Sequence, residues 1–457
     1  MDRLRGARST VAEWFDRSAL QSPARLALGS FGLVILLFTG ILSLPGMTSS
    51  GERVPFIDAL FTATSAVCVT GLVTVDTGSY WSGWGLAVIA IAIKVGGLGI
   101  MTLASLVGLA VSRRIGLTQR ILAAGEARAT GLGDLRSLLR TVVIVSFSVE
   151  ILIAAILLPR FLTLDYGFGK SLGYSTFYAI SAFNNAGFTP DPLGLIPYAG
   201  DLWMLVPIGL GVFIGGLGYP VYLNIVRGWR RPRLWSLHTK LTLIMVTVLA
   251  LISAGFLAIF EWSNPATLGD HSAGKTIGNI FFQSINQRSG GFNSFDISQA
   301  REQTWLLEDV LMFIGGGSGS TAGGIRVTTL AVLLLAIWAE ARGRRDMEAF
   351  GKRIGTEVLR GAVAITLIGL FIVIIGTGIF MMQTNIPLDR ALYEVVSAYA
   401  TCGLSTGITS SLPPEAKMTL IVLMYVGRVG SLTIAAALAL NKQRRVIRYP
   451  SERPLIG

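Results

Sequence analysis

The amino-acid sequence predicts an all-α integral membrane protein in which four pseudo-symmetric helix–pore-loop–helix repeats contribute eight transmembrane spans around one central pore. The 457 residues are 52% hydrophobic and only 14% charged, whereas soluble domains contain about 25% charged residues. Basic clusters alternate along the chain with acidic loops, and a glycine-centred motif recurs four times. These three observations together predict the fold class.

The distribution of charge predicts how the chain is oriented. A net charge of +12 can indicate a nucleic-acid-binding protein, but the basic residues are concentrated in short segments between apolar stretches. Acidic residues outnumber basic ones in intervening loops such as 191–201 and 296–309. This is the positive-inside pattern, so we expect a multi-pass protein of the cell inner (plasma) membrane with both termini in the cytoplasm. The basic segments are Arg3–Arg25, Arg113–Arg140, Arg227–Lys240, Arg342–Arg360 and Lys442–Arg453.

The scarcity of reactive side chains disfavours an enzyme. The chain has two cysteines and two histidines, too few for a disulfide framework or a typical catalytic metal centre. His238 and His271 are expected near opposite membrane faces. We therefore expect a protein that is not an enzyme and that holds no organic cofactor.

Eight stretches approach or exceed the roughly 20 apolar residues that a membrane span requires. They are Leu26–Leu44, Trp84–Val111, Thr141–Leu158, Leu202–Val226, Leu241–Phe260, Val310–Ala339, Gly361–Met382 and Met418–Leu440. Four apolar stretches on the expected outer side are too short to cross and are interpreted as re-entrant half-helices. They are Phe56–Val67, Tyr174–Phe183, Thr276–Gln287 and Ala391–Ala400.

Each half-helix is followed by a glycine-centred tetrad with similar surroundings. An aromatic residue precedes each central glycine by ten positions, and a serine precedes it by six except in the third tetrad, which has Ile285. A second glycine signal follows each tetrad, beginning at Gly96, Gly215, Gly315 and Gly427. Each repeat is therefore expected to consist of a membrane span, a half-helix, a glycine-bearing segment that returns to the outer side, and a second membrane span. The expected divisions are a cytoplasmic tail at 1–25, repeats at 26–112, 113–226 (with a preceding cytoplasmic loop), 227–340 and 341–440, and a cytoplasmic tail at 441–457.

The four tetrads predict a selectivity filter for a monovalent cation. Non-helical backbone at membrane depth must be buried in protein or line a wet cavity, and a ring of carbonyl oxygens can replace the hydration shell of a cation. Glycine permits the close approach and unusual φ and ψ that such a ring needs. The alternative is that these glycines only allow helices to pack closely. It explains neither the short half-helices nor the aromatic residue ten positions before each central glycine. The expected ion-binding residues are Val69, Thr70, Gly71, Asn185, Ala186, Gly187, Ser289, Gly290, Gly291, Thr401, Cys402 and Gly403.

Charged residues within spans are functional candidates because they are expensive to bury in a membrane. Arg428 occupies the position that is glycine in the other repeats, at Gly97, Gly216 and Gly316. Its side chain is expected to reach the pore axis and to act as a barrier to cations, although a helix-bracing role stays open. Glu150 is interpreted as a partner of Lys94 or of a polar neighbour.

A glycine-rich run in the third repeat predicts an intramembrane gate. Each glycine in a helix costs about 0.5–1 kcal/mol relative to alanine, so the run should break the span into two half-helices joined by a movable loop below the filter. A structural link is the alternative. A phosphate loop is disfavoured because the run itself lacks Gly-Lys-Ser/Thr and does not follow a strand. The expected gate residues are Gly315, Gly316, Gly317, Ser318, Gly319, Ser320, Thr321, Ala322, Gly323 and Gly324.

Three motifs resemble the Trk/Ktr/HKT superfamily of potassium transporters, and within it the KtrB type of membrane subunit. They are Val67-Cys68-Val69-Thr70-Gly71-Leu72, Phe183-Asn184-Asn185-Ala186-Gly187-Phe188 and Val426-Gly427-Arg428-Val429-Gly430. The resemblance covers almost the whole chain. It implies a potassium-channel-like pore and filter glycines at Gly71, Gly187, Gly291 and Gly403, and the glycine in the first repeat resembles the potassium-selective members.

The same resemblance implies an assembly and a function. The expected protein is a homodimer with one pore per subunit, docked on a cytosolic ring of RCK-type regulatory subunits (KtrA-like) that binds nucleotides. The basic loops would meet that partner or anionic membrane lipid. The transported ion is expected to be potassium. Sodium or mixed-cation conduction, or a secondary transporter, are the alternatives.

Overall fold

The computed structural model of the chain describes residues 23–113 and 135–430. Within these residues the chain is helical except for loops and one two-stranded hairpin. The helices fall into four successive groups, each with a long helix, a shorter helix and a second long or interrupted helix. The expected terminal tails, part of the loop before the second group and the end of the last expected span lie outside the described residues.

The first group contains α1 (Pro23–Leu42), α2 (Phe56–Val67) and α3 (Gly83–Arg113). The bounds of α2 are those expected for the first half-helix. This helix begins directly after Pro55 and carries Asp58 in its first turn, where a negative charge complements the helix dipole. Helices α1 and α3 pack against α2, and its residues are buried from Asp58 onward. A helix too short to cross the membrane is thus enclosed by protein.

The second group departs from the sequence prediction in two ways. It contains α4 (Leu135–Leu162), α5 (Phe168–Asn184), α6 (Leu202–Leu217) and α7 (Tyr219–Gly228). The half-helix α5 is longer than the stretch expected from hydropathy. The expected span Leu202–Val226 is not one straight helix, because α6 and α7 are bent by 97°. Gly218 adopts φ 91° at the bend and a proline lies in the first turn of α7, which favours a new helix start.

The third group has the break that the glycine run predicts. It contains α8 (Leu237–Glu261), α9 (Ala273–Asn286), α10 (Glu302–Ile314) and α11 (Val327–Ala341). Residues 315–326, between α10 and α11, form an irregular segment that we call the intramembrane loop. Positive φ values at Gly315, Gly319 and Gly324 explain why glycine recurs there.

The fourth group ends in an irregular helical turn. It contains α12 (Thr356–Gln383), α13 (Leu388–Tyr399) and α14 (Pro414–Tyr425), followed by a π-helical turn at Val426–Gly430. A hairpin that the sequence did not predict precedes α12, with β1 (Met347–Ala349) antiparallel to β2 (Lys352–Ile354). Its turn residues, Phe350 and Gly351, both have positive φ, as tight hairpin turns require.

Several helices are suited to a lipid environment. Among the described residues, three helices are long and apolar enough to cross a membrane, or four if the bent pair α6–α7 counts as one span. Their outward faces carry large apolar side chains such as Ile151, Ile259 and Phe371, which are 66%, 70% and 61% exposed in the isolated chain. Water would make such continuous apolar faces unfavourable, so the protein is a multi-pass membrane protein.

Candidate functional site

The four central glycines lie next to one another and form a closed ring. Gly71, Gly187, Gly291 and Gly403 all have positive φ, at 99°, 68°, 71° and 95°. A Cβ atom added to Gly187 would lie 2.8 Å from the Cα of Gly291, and one added to Gly291 would lie 2.5 Å from the carbonyl oxygen of Cys402. One added to Gly403 would lie 3.0 Å from the Cα of Gly71, which in turn adjoins Gly187. The four segments, about a hundred residues apart in sequence, therefore surround one axis.

The residues before these glycines turn the chain out of each half-helix. Val69, Asn185 and Thr401 have φ values of 56°, 58° and 48°, which side-chain-bearing residues adopt only occasionally. The third segment turns differently, and the N–H of Gly290 donates to the carbonyl oxygen of Asn286 at 2.7 Å. Of the expected ion-binding residues, Gly187 and Gly403 are half-buried and the rest are buried. The ring is therefore enclosed by protein, with little space between neighbouring segments.

Serine hydroxyls hold the ring in two of the four repeats. The Oγ of Ser65 accepts a hydrogen bond from the N–H of Gly71 at 3.0 Å, and the Oγ of Ser397 accepts one from the N–H of Gly403 at the same distance. The hydroxyl of Ser181 instead donates to the carbonyl oxygen of Phe188 at 2.7 Å. Ile285 lacks a hydroxyl. The sequence showed the serine spacing but not its contacts, in which a serine hydroxyl bonds the backbone after the half-helix in three of the four repeats.

The aromatic residue ten positions before each central glycine has no common environment. Phe61 and Tyr393 are fully buried and Phe177 nearly so, but Phe281 is 52% exposed. The aromatic residue of the third repeat therefore differs from the other three in its surroundings. Tyr393 donates its hydroxyl to Glu308 at 2.5 Å, a contact that phenylalanine cannot make.

The second glycine signal packs against the end of the half-helix. A Cβ at Gly96, Gly215 or Gly427 would overlap the carbonyl oxygen of Val67, Phe183 or Tyr399 respectively, each four residues before a central glycine. The first, second and fourth repeats thus share one backbone-to-backbone contact. In the third repeat the equivalent position faces the intramembrane loop instead, where a Cβ at Gly315 would overlap the carbonyl oxygen of Gly323.

The intramembrane loop bridges the second and third repeats beside the ring. The N–H of Gly317 donates to the carbonyl oxygen of Gly216 at 2.8 Å. The hydroxyl of Thr321 donates to the carbonyl oxygen of Gly215 at 3.2 Å. The N–H of Gly323 donates to the hydroxyl of Ser289, a member of the third tetrad, at 3.3 Å. The loop is therefore fixed by hydrogen bonds on two sides.

Two arginines bind the carbonyl oxygens of this loop. The guanidinium of Arg428, 1% exposed, donates to the carbonyl oxygen of Thr321. The guanidinium of Arg326 donates to the carbonyl oxygens of Ala322 and, at 3.4 Å, of Gly317. Arg428 thus lies against the loop beside the ring, and the position of its side chain at the pore axis below the filter stays a prediction.

An intramembrane ion pair lies behind the second tetrad. The Nζ of Lys94 lies 2.6 Å from the Oε2 of Glu150 and 2.6 Å from the hydroxyl of Ser146. The amide of Asn184 also donates to the Oε1 of Glu150 at 3.0 Å. Glu150 therefore contacts Lys94, as the sequence suggested, and joins helices α3, α4 and α5 next to Asn185.

The outer loop after the second tetrad is held by a buried carboxyl group. The hydroxyls of Tyr178 and Tyr198 donate to the Oδ2 of Asp191, at 2.8 and 3.4 Å. Burial raises the pKa of Asp191 above its ordinary value even though both hydrogen bonds lower it. This contact connects half-helix α5 to the loop that follows its tetrad.

A family comparison identifies the class of protein. The model of a family described as TrkH, cation transport protein, matches residues 10–449. The chain belongs to the TrkH family. Membership confirms the resemblance to the Trk/Ktr/HKT superfamily and shows that the chain is a cation transport protein rather than an enzyme.

Related TrkH-family proteins match along nearly their whole length. The Ktr system potassium uptake protein B of Bacillus subtilis is 38% identical over 435 residues, which cover 95% of this chain and 96% of the relative. The potassium/sodium uptake protein NtpJ of Enterococcus hirae is 34% identical over 446 residues, covering 95% and 97%. The crystal structure of the potassium transporter TrkH from Vibrio parahaemolyticus matches with a TM-score of 0.68 and 17% identity, covering 91% of this chain and 85% of that one. The last match shows a shared fold.

Proposed function

We propose that the chain is the pore-forming membrane subunit of a potassium uptake system. K⁺ would pass through the ring at Gly71, Gly187, Gly291 and Gly403, where main-chain carbonyls replace its hydration shell. The observation that carries this proposal is the closure of that ring by contacts between successive tetrads. The tetrads hold no charged side chain, which suits a monovalent cation, and the relative from Bacillus subtilis is named for potassium uptake.

The pore would be formed by four repeats with eight spans and both termini in the cytoplasm. Their divisions are those of the sequence, with repeats at 26–112, 113–226, 227–340 and 341–440. The shared packing of Gly96, Gly215 and Gly427 against the ends of their half-helices supports this pseudo-symmetry. The basic segments on the expected inner side support the orientation.

The intramembrane loop would be the gate, and Arg428 would hold it closed as well as repel cations. The loop makes hydrogen bonds to Gly216 and Ser289 and to Arg428, so it connects three repeats. Opening requires these bonds to exchange for others. Its many glycines lower the conformational barrier to such a rearrangement.

We further propose that the subunit acts as a homodimer regulated by a cytosolic RCK-type ring (KtrA-like) that binds nucleotides. Relatives such as the uptake proteins B and D of Bacillus subtilis carry the name of a Ktr system, and a system implies further components. The exposed basic residues Arg230, Arg231 and Arg233 on the inner side suit an acidic protein face or anionic lipid.

Sodium or mixed-cation conduction is the second candidate. NtpJ of Enterococcus hirae, 34% identical to this chain, is named for both potassium and sodium uptake. Carbonyl rings select ions through cavity size and field strength, and small shifts in either alter the preference.

Growth of a potassium-uptake-deficient bacterium at low potassium tests the proposal. The wild-type chain with its regulatory partner should restore growth, and Gly291→Ser should abolish the rescue because its side chain would meet the carbonyl oxygen of Cys402. Gly255→Ser is the matched control, since a Cβ there meets nothing within 4 Å. Failure of the wild-type chain, or rescue by Gly291→Ser, would contradict the proposal, and rescue at low sodium only would favour the second candidate.

A further inference from the structure

Arg288 is a buried positive charge that forms no ion pair with any residue the structure describes. It directly precedes the third tetrad and is 5% exposed. Its Nε is enclosed and without a hydrogen-bond partner among the described residues. Burying an unpaired charge is costly, so a residue of this kind calls for a functional explanation.

Arg288 lines a cavity that adjoins both the ring and the intramembrane loop. The cavity is small, with a volume of about 10 Å³, close to the least that holds one water molecule. Its polar lining includes Ser289 of the third tetrad and Asn185 of the second, and Gly316 and Ala322 of the loop form another wall. The Oδ1 of Asn185 is also buried without a partner. The guanidinium therefore contributes its charge to the space between two tetrads and the expected gate.

The equivalent positions in the other repeats carry no such charge. Cys68, Asn184 and Ala400 stand three residues before their central glycines, as Arg288 does. The polar member of this set, Asn184, binds the carboxylate of Glu150 on the long helix before it. On the corresponding helix of the third repeat, Ser253 donates to Gln287 and supplies no negative charge. The positive charge of Arg288 is thus specific to the third repeat, and no described carboxylate pairs with it directly.

We propose that Arg288 is a specificity- and rate-determining residue that weakens cation binding beside the ring. The inference rests on the proposed function and deepens it. A fixed positive charge in a medium of low dielectric constant raises the energy of a nearby cation. Conduction requires binding weak enough for the ion to leave, so the charge of Arg288 favours release towards the cytoplasm. Its action differs from that of Arg428, which binds the loop itself.

The test measures how Rb⁺ uptake depends on Rb⁺ concentration in vesicles containing the purified subunit with its regulatory partner. Arg288→Gln and Arg288→Met remove the charge and keep an unbranched stem, whereas Arg288→Lys keeps the charge. Either neutral variant should lower the KM for Rb⁺ by roughly threefold or more and lower the maximal rate. The lysine variant should stay near the wild-type KM.

The outcomes separate this inference from the proposed function. A wild-type protein that takes up no Rb⁺ contradicts the proposed function. Normal wild-type uptake with an unchanged KM in a folded neutral variant overturns the inference alone. A KM that falls equally in the lysine and neutral variants also overturns it, because the role would then depend on the shape of the guanidinium. The elution volume in size-exclusion chromatography and the melting temperature in detergent identify which variants are folded. If Arg288→Gln is unstable, the KM of Arg288→Met is used instead.

Discussion

The guanidinium of Arg428 donates a hydrogen bond to the carbonyl oxygen of Thr321. The two residues belong to different repeats, and each is 1% exposed. Arg428 lies in the π-helical turn Val426–Gly430, a form of helix that is frequent at functional sites. A hydrogen bond from a charged donor contributes about 1.5–3 kcal/mol. The contact therefore favours the conformation in which the intramembrane loop lies beside the ring.

Replacing Arg428 with alanine is expected to increase cation uptake. The variant loses both the bond to Thr321 and a positive charge, so the loop should open more often and the barrier to cations should fall. A loss of about 1.5–3 kcal/mol shifts the loop equilibrium by about tenfold or more, and the rate should rise by several-fold. Initial rates of Rb⁺ uptake into vesicles provide the measurement.

The control for Arg428→Ala is Arg353→Ala. Arg353 pairs with Asp346 at 2.8 Å, but its side chain is 68% exposed on the hairpin. It lies outside the loop and the ring, so uptake by the subunit without its regulatory partner should remain at the wild-type rate. If Arg428→Ala also leaves the rate unchanged, the residue braces the helices and does not restrain flux.

Gly215→Ala is expected to destabilise the protein. Its Cβ would overlap the carbonyl oxygen of Phe183 and lie 2.7 Å from the Oδ1 of Asn185, and the first of these is backbone that cannot rotate away. Overpacking of this kind costs about 1–3 kcal/mol. The melting temperature in detergent should therefore fall, together with Rb⁺ uptake.

Gly255→Ala is the matched control, because Gly255 also lies in a long helix but a Cβ there meets nothing within 4 Å. Alanine is the better helix former by about 1 kcal/mol, so the melting temperature should stay constant or rise. Equal melting temperatures for the two variants would show that the half-helix can move away from α6.

The glycine pattern was the most predictive part of the sequence. Where two backbones touch, only glycine fits because it has no Cβ atom. Such a position can therefore be recognised in the sequence as a recurring glycine. The spacing of Gly71, Gly187, Gly291 and Gly403 therefore predicted residues that meet in one ring. The same reasoning located the break after Ile314, since several glycines with positive φ are incompatible with a continuous helix.

Features that depend on distant neighbours were not predictable. The bend between α6 and α7 depends on a single glycine, Gly218. Beside it, the N–H of Tyr219 donates to the carbonyl oxygen of Gly319 in the intramembrane loop at 3.3 Å, and this partner is about a hundred residues away in the sequence. Phe281 matches the aromatic pattern yet is exposed, because a side chain's environment is set by the elements around it. That Arg288 pairs with no carboxylate among the described residues could be recognised only from the structure.

The Lys94–Glu150 pair is expected to stabilise the packing of three helices around the second tetrad. Its side chains are 13% and 7% exposed, so removal of one partner leaves a buried charge without compensation. Lys94→Met alone, or Glu150→Gln alone, should lower stability by about 3–5 kcal/mol. The double variant should recover a large part of that loss, since it leaves no unpaired charge. Melting temperatures of the four proteins in detergent form a double-mutant cycle that isolates the pair.

The exposed pair Arg353–Asp346 provides the comparison for this cycle. Its side chains are 68% and 38% exposed, and exposed pairs contribute only about 0–1 kcal/mol.

Rb⁺ and Na⁺ uptake by the Lys94 and Glu150 variants reports on the second tetrad, because Asn184 binds Glu150 directly and adjoins Asn185. The single Lys94 and Glu150 variants should discriminate less well between the two ions than the double variant does. If the double variant loses as much stability as the two single variants added together, the two residues act independently, and their contact at 2.6 Å does not hold the half-helix in place.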